Sequence, residues 1–181
     1  MVNDDNEVEV VSENNTLLKG VVHVSIVVHD ADKTAEKLEK YGIGPFIFHQ
    51  STYRSPGPGK YEDPARMKYG YSQAGNILWE LIETLEGKTE YSEFLETNGE
   101  GIHHLGFPTP LPLKAEVDRW SKLGVEALEV GKENDSGEGW AYLDTFDDMG
   151  FIIEILSYNM FNKYLSESTP AFSTPFSQSN S

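Results

Sequence analysis

Cysteine is absent from the chain, which excludes disulfides, thiolate nucleophiles and cysteine-ligated zinc. Any metal site must therefore use histidine and carboxylate ligands. Positive charge is also scarce, because 14 lysines and arginines stand against 30 aspartates and glutamates, for a formal net charge of −16. Such a surface repels phosphate groups, so we expect no nucleic acid and no anionic membrane as a partner.

Long apolar runs are missing as well. No stretch approaches the length of a membrane-spanning helix, and the N-terminus is acidic rather than signal-like. We therefore expect a cytoplasmic protein. Hydrophobic residues still make up 38% of the 181 residues, and aromatic residues 12%, which is enough to form a core.

Polar, low-complexity sequence is concentrated at the two ends. Residues 1–19 are rich in Asp, Glu, Asn and Ser, and we predict a disordered acidic arm. For residues 159–181, which become rich in Ser, Thr and Pro, we predict a short helix and a disordered tail. Organised structure is expected over residues 20–158.

One order of elements, β-α-β-β-β, occurs twice within that span, as modules over 20–85 and 102–158. A short helix over Glu90–Thr97 is expected between them. The predicted strands are Gly20–Val28, Pro45–Tyr53, Ala65–Ser72, Ile77–Thr84, Ile102–Pro108, Val125–Val130, Gly139–Asp144 and Phe151–Ser157. The predicted module helices are Asp30–Tyr41, capped by Asp30 or Asp32, and Pro112–Leu123. The sequence thus predicts an α+β fold made of two βαβββ modules.

Each module carries one histidine and one glutamate at matching positions. His23 and His104 lie near the start of the first strands, and Glu80 and Glu154 lie among apolar residues in the last strands. An ionised, unpaired carboxylate in such surroundings costs several kcal/mol. A divalent cation that binds all four side chains would satisfy them together. Imidazole and carboxylate ligands suit Zn, Ni, Co, Mn or Fe, and we predict one such cation.

Other polar and aromatic side chains are weaker candidates. His103 is expected to point away from His104, because side chains alternate along a strand, and His29 and His49 are interpreted as surface groups. The aromatic residues considered for a pocket wall are Phe46, Phe48, Tyr69, Tyr71, Phe107, Trp140 and Tyr142. The basic residues considered for an anionic substrate arm, or for a solvated loop, are Arg54, Lys60, Arg66 and Lys68. The Ser51–Pro64 loop is interpreted as either a lid or a solvent loop.

Two motifs carry a family resemblance, Gly99-Glu-Gly-Ile-His-His-Leu-Gly106 and Trp79-Glu-Leu-Ile-Glu83. They are most similar to the glyoxalase and methylmalonyl-CoA epimerase branch of the vicinal oxygen chelate superfamily, over about Gly20 to Tyr158. The resemblance implies a curved, half-open mixed sheet around a metal cleft, and often a homodimer. On that pattern the metal ligands are His23, Glu80, His104 and Glu154.

The implied chemistry is a lyase, isomerase or epimerase reaction on a small-molecule substrate. A metal-chelated carbonyl would favour loss of a neighbouring proton to give an enediolate, with Glu154 as the first candidate for the base and Glu80 as the second. Two alternatives remain open: an iron-dependent dioxygenase of the extradiol type, and a metal-free ligand-binding or resistance protein of the same fold.

Overall fold

The computed structural model describes residues 18, 20–54, 61, 63–131 and 137–158. The predicted tail over 159–181, the acidic arm apart from residue 18, and residues 55–60 and 62 of the Ser51–Pro64 loop lie outside the described residues. Within the described part, no helix is long and apolar enough to cross a membrane.

The first half of the chain forms four strands and one helix, in the predicted order. These are β1 (His23–Val27), α1 (Ala31–Glu39), β2 (Ile47–Tyr53), β3 (Ala65–Ala74) and β4 (Ile77–Glu86). Asp30 caps α1, since its carboxylate accepts a hydrogen bond from the backbone N–H of Lys33 at 3.0 Å. Gly42 follows the helix with a φ of 85°, a conformation that favours glycine.

The second half repeats this order after a connecting helix. Its elements are α2 (Glu90–Asn98), β5 (Gly101–Thr109), α3 (Leu113–Ser121), β6 (Ala127–Val130), β7 (Trp140–Leu143), α4 (Phe146–Met149) and β8 (Ile152–Ser157). The sequence interpretation did not include α4. This helix has only four residues, which is too short to show a 3.6-residue periodicity.

The eight strands form one sheet in the order β2-β3-β4-β1-β5-β8-β7-β6. In each half the first strand pairs in parallel with the last, as β1 does with β4 and β5 with β8. The two halves join through the antiparallel pair β1 and β5, so the second half continues the sheet in mirrored order. The predicted α+β class, with a curved, half-open mixed sheet, is confirmed.

One face of the sheet is covered by the helices α1 and α3. Under α1, Val28, which directly follows β1, and Leu81 of β4 pack against Ala31 and Ala35. Under α3, the buried cluster consists of Phe107, Leu113, Trp120, Ala141, Leu143, Ile153 and Ile155. Because successive strand residues alternate in direction, the side chains between these apolar ones point to the opposite, concave face.

The concave face carries the helix α2. Helix α2 packs at one end of it, where Tyr91 joins a buried cluster with Val27, Met67 and Ile82. The four central strands, β4, β1, β5 and β8, form the floor between the two outer pairs of strands. The fold therefore leaves a cleft over the line where the two halves meet.

Candidate active site

The floor of the cleft brings together all four side chains that the sequence predicts as ligands. His23 lies on β1, Glu80 on β4, His104 on β5 and Glu154 on β8, so each of the central strands supplies one of them. All four residues are buried, with between 1% and 6% of their surface exposed. They come from a single chain, so the cluster needs no second subunit to form.

His23 lies between the two carboxylates. Its Nε2 is 3.1 Å from Oε2 of Glu80, and its Nδ1 is 3.2 Å from Oε2 of Glu154. The Nε2 atom of His104 approaches the same two oxygens, at 3.5 Å from Glu154 and 3.8 Å from Glu80. One potential ligand atom from each of His23, His104 and Glu154 lies within 4.8 Å of the others. Glu80 is not part of that group of three, but it joins the cluster through its contacts with His23 and His104.

The second oxygen of Glu80 has a separate partner. The hydroxyl of Tyr71 on β3 donates a hydrogen bond to Oε1 of Glu80 at 2.6 Å. In the part of the chain that the structure describes, Glu154 contacts the two histidines through Oε2 alone. The two carboxylates are thus held differently, although they occupy matching positions in the two halves.

The protonation of His23 depends on its carboxylate neighbours. Burial by itself lowers the pKa of an imidazole, but the hydrogen bonds to Glu154 and Glu80 outweigh it and raise the pKa of His23 to about 10. Burial also raises the pKa of Glu154, an effect that the bond to His23 partly offsets. Without a metal, the cluster therefore carries a proton on His23 at neutral pH.

His103 does not point away from the cluster, and this sequence prediction is wrong. Its Nδ1 lies 2.9 Å from Nδ1 of His104, and its ring is buried against Tyr91, Phe94 and Tyr142. The cause is an irregularity in the pairing of β1 with β5, where the register jumps from His104 to Ile102. Such a β-bulge interrupts the alternation of side chains on which the prediction rested.

Burial keeps both of these neighbouring imidazoles neutral. It lowers the pKa of His103 to about 4, against a weak opposing effect of Glu80. It also lowers the pKa of His104, and the electrostatic effects of His23 and His103 act in the same direction. His104 can therefore offer a lone pair to a cation at neutral pH.

A cavity of about 280 Å³ opens above the four side chains. Of the aromatic residues considered from the sequence, Tyr69, Tyr71, Trp140 and Tyr142 line it, whereas Phe46, Phe48 and Phe107 do not. Phe46 and Phe107 belong to the clusters on the helix face. The lining residues that the sequence interpretation did not include as wall candidates are His49, Ser51, Tyr53, Tyr91 and Leu156.

The reason why the sequence did not predict two of these lining residues, His49 and Tyr91, is clear from the structure. His49 was interpreted as a surface group, but it lies inside β2, opposite Tyr69, and its ring faces the cavity. An alternating register counted from Tyr53 would have placed His49 on the same face as that tyrosine. Tyr91 comes from α2, whose position over the sheet no local pattern indicates. His29 is exposed, as expected.

The basic residues do not line the cavity as the structure describes it. Arg66 forms an exposed ion pair with Glu86 at 2.7 Å, and Lys68 pairs with Asp32 of α1. Arg54 is exposed, and Lys60 lies outside the described residues. The interpretation as a solvated face fits Arg66 and Arg54, while Lys68 is half-buried against the helix side of the sheet, over the ring of Phe48.

Comparison with protein families agrees with this architecture. Residues 22–143, about two thirds of the chain, match the model of the glyoxalase/bleomycin resistance protein/dioxygenase superfamily. The chain belongs to that superfamily. The matched region includes His23, Glu80 and His104 and ends before Glu154 on β8.

Three proteins to which this chain is similar share no more than 25% of its residues over the aligned region. YqjC of Bacillus subtilis, an uncharacterized protein, is 24% identical over 134 residues, which cover 74% of this chain and 88% of YqjC. Methylmalonyl-CoA epimerase of Mycobacterium tuberculosis superposes with a TM-score of 0.57 at 21% identity, over 79% of this chain and 90% of the epimerase. A methylmalonyl-CoA epimerase solved with methylmalonyl-CoA and NH4⁺ gives a TM-score of 0.55 at 25% identity, over 77% and 94%.

The close approach of strands at the site requires a glycine on β5. Gly106 pairs with both His23 and Glu154. A Cβ atom at this position would lie 2.7 Å from Cβ of His23, 2.9 Å from Cδ1 of Leu156 and 3.1 Å from Oε2 of Glu154. Any larger residue would therefore push the floor of the cleft apart.

We predict that Gly106→Ala destabilises the protein by about 1–3 kcal/mol, because three packed neighbours must shift. Gly101→Ala is the matched control on the same strand, since its Cβ would meet nothing within 4 Å. A stability within about 0.5 kcal/mol of the parent is expected there. Urea unfolding of both variants measures the difference, and equal stability of the two would show that Gly106 is not required by packing.

Proposed function

We propose that this superfamily member is a metal-dependent lyase, isomerase or epimerase that moves a proton on a carbon next to a carbonyl group. The observation that carries the proposal is the convergence of His23, Glu80, His104 and Glu154 on one buried volume at the floor of a ligand-sized cavity. Two carboxylates and two imidazoles have little structural reason to be buried together, because desolvation of each one costs free energy.

The chemistry of the four side chains fits a divalent cation. Two carboxylates supply two negative charges, and two neutral imidazoles supply lone pairs, so the charge of a 2+ ion would be balanced within the site. Such a ligand set suits Zn, Ni, Co, Mn or Fe. When bound, the cation would supply Lewis-acid polarisation of a substrate carbonyl, which acidifies the neighbouring C–H bond.

Glu154 is the better candidate for the residue that removes and returns the proton. A general base must have an accessible oxygen and a pKa nearer to neutrality than that of a free carboxylate. Burial raises the pKa of Glu154, and its described contacts use only Oε2. Glu80 is held at its other oxygen by Tyr71. Glu80 would therefore serve as a fixed ligand while Glu154 exchanges the proton.

The comparisons support the same class of reaction. Several of the structural neighbours are methylmalonyl-CoA epimerases, and an epimerase must remove and return a proton at one carbon. Identities of 21% and 25% support this class and not the particular substrate.

We propose that the described domain acts as two βαβββ halves around one site. A homodimer remains an expectation from the family resemblance.

His103 is suited to orient His104 for metal binding. With both rings neutral, one of the two Nδ1 atoms, which are 2.9 Å apart, must donate to the other. If His104 donates from Nδ1, its Nε2 has a free lone pair that faces the carboxylates. Metal-binding histidines usually donate their second N–H to a hydrogen-bond acceptor, most often a carboxylate, a backbone carbonyl or water, and here the acceptor would be the Nδ1 atom of His103. His103 would therefore hold His104 in the tautomer that can bind a metal.

We predict that the protein binds one divalent metal ion and releases about one proton when it does so. The proton comes from His23, whose pKa of about 10 in the metal-free site keeps it charged at neutral pH. Apparent metal affinity should therefore rise about tenfold for each pH unit between 7 and 9. Calorimetric titration with Zn²⁺ or Mn²⁺, in buffers with different ionisation enthalpies, measures both the affinity and the proton.

The same proton makes the stability of the metal-free protein depend on pH. Because the folded pKa of His23 exceeds its unfolded value of 6.5, the stabilisation is complete below pH 6.5 and is lost as pH rises toward about 10.

Elemental analysis of protein purified without chelator identifies the resident metal. Iron together with oxygen-dependent turnover would favour the dioxygenase alternative, and no metal binding at any pH would contradict the proposal.

Replacement of His103 should weaken metal binding without unfolding the protein. His103→Phe keeps an aromatic ring among Tyr91, Phe94 and Tyr142 but removes the acceptor for His104. We expect metal affinity to fall by about 10- to 100-fold. His29→Phe, at an exposed histidine, is the matched control. His103→Asn, which restores a hydrogen-bonding group, should recover part of the affinity, and an unchanged affinity of His103→Phe would exclude the orienting role.

Loss of Glu154 should stop proton exchange more severely than loss of Glu80. With a hydroxy-ketone, a 2-oxo acid and an acyl thioester as test substrates in D₂O, we expect metal-dependent entry of deuterium next to the carbonyl of at least one of them. Glu154→Gln should slow this exchange by about 10²- to 10⁴-fold, because the base is lost. Glu80→Gln retains an amide oxygen and should slow it far less. The opposite order, measured by NMR at saturating metal, would assign the base to Glu80.

A further inference from the structure

One wall of the cavity consists of three rings in nearly the same orientation. His49 stacks on Tyr69 at 5.2 Å and 24°, and on Tyr71 at 5.3 Å and 15°, while the two tyrosines lie at 6.3 Å and 10° to each other. The register explains this, since His49 pairs with Tyr69, and Tyr71 follows two residues later on the same face of β3. We refer to His49, Tyr69 and Tyr71 as the stacked wall.

A second aromatic pair lines the cavity from the other half of the sheet. Trp140 and Tyr142 of β7 lie 4.7 Å apart, tilted by 45°. Trp140 is held in place because Gly131 leaves room for its ring, where a Cβ atom would come within 2.3 Å of it. Tyr142 is held by Tyr91, their hydroxyl groups lying 3.0 Å apart. The candidate active site therefore lies between aromatic side chains from both halves.

The electrostatics of the cavity are unfavourable for an anion. None of the lining side chains that the structure describes is a lysine or an arginine, and two of them are carboxylates. A divalent cation bound by Glu80 and Glu154 would be neutralised by them, so no surplus positive charge would remain. The whole chain carries a net charge of −16, which opposes an anionic ligand further.

The size of the cavity sets a further limit. Pockets for drug-sized ligands occupy about 300–1,000 Å³, and this one measures about 280 Å³. Six of its thirteen described lining residues are tyrosine or tryptophan, and three more are histidines. A small, flat molecule fits both the volume and the ring orientation, because aromatic rings prefer offset-stacked or edge-to-face partners.

We propose that the substrate is an uncharged, planar aromatic carbonyl compound of one or two rings, which packs against the stacked wall while its oxygens face the four-residue cluster. This inference rests on the proposed function, whose chemistry needs a carbonyl at the cluster. The protein would recognise this substrate by stacking of its ring. An anionic acid, or an acyl-CoA such as the methylmalonyl-CoA of the epimerase neighbour, lacks a cationic partner in the described lining.

Four probes separate the ring, the charge and the thioester. α-Hydroxyacetophenone is aromatic and uncharged, hydroxyacetone lacks the ring, benzoylformate keeps the ring but adds a carboxylate, and methylmalonyl-CoA is the anionic thioester. Quenching of tyrosine and tryptophan fluorescence measures the Kd of each probe, with metal-loaded and with metal-free protein. We expect α-hydroxyacetophenone to bind at least about fivefold more tightly than each of the other three probes.

Removal of one ring from the stacked wall tests where the aromatic probe binds. Tyr69→Leu leaves the Tyr71–Glu80 hydrogen bond in place and should weaken binding of α-hydroxyacetophenone by about two- to tenfold, with little effect on hydroxyacetone. The matched control is Tyr41→Leu, because Tyr41 is 83% exposed and does not line the cavity. The Tyr69→Leu effect should appear with and without metal, since the wall acts through its rings.

The outcomes distinguish this inference from the proposed function. Equal or tighter binding of hydroxyacetone, benzoylformate or methylmalonyl-CoA would overturn the aromatic substrate class, as would an unchanged affinity of Tyr69→Leu for α-hydroxyacetophenone. Metal binding and deuterium exchange could still stand in that case. If the protein binds no metal, the proposed function fails, while the preference for the aromatic ring in metal-free protein still supports or contradicts the role of the stacked wall.

Discussion

The structure depends on the joint burial of two carboxylates and two imidazoles where the two halves of the sheet meet. Each of these groups alone would cost free energy at this depth, because its water is removed. Together they form contacts of 3.1 to 3.8 Å, and a proton on His23 partly compensates the two negative charges. A 2+ ion would compensate them fully, which supports the proposed binding of a divalent metal.

This arrangement follows from the mirrored order of the strands. In each half the first and last strands are parallel neighbours, and the first strands of both halves pair at the centre. The four strands that carry the His and Glu residues are therefore adjacent, with their side chains on the concave face. Gly106 allows the backbone of β5 to approach His23 and Glu154 closely. Helices on the other face leave the cleft open to a ligand.

The two halves surround the cluster with different side chains. Tyr71 holds Glu80, whereas Glu154 makes its described contacts through one oxygen, so the two matching carboxylates are suited to different tasks. His103, whose Nδ1 lies 2.9 Å from Nδ1 of His104, belongs to the second half. The first half supplies the stacked wall, and the second supplies Trp140 and Tyr142. A symmetric cluster of two histidines and two glutamates thus lies in a pocket whose two sides have different aromatic linings.

The amino-acid sequence by itself was enough to predict the repeated βαβββ order. It was also enough to predict that the side chains of His23, Glu80, His104 and Glu154 lie close together. The apolar periodicity of strands and helices can be recognised within a short segment, and so can a glutamate among apolar residues whose charge must be compensated. Both patterns recur at matching places in the two halves. Only the tertiary structure decided the roles of His103, His49 and Tyr91. His103 turns inward because of a register shift between two strands, and Tyr91 reaches the cavity because α2 packs over the sheet. Such placements depend on pairing and packing between distant segments, which no local pattern records.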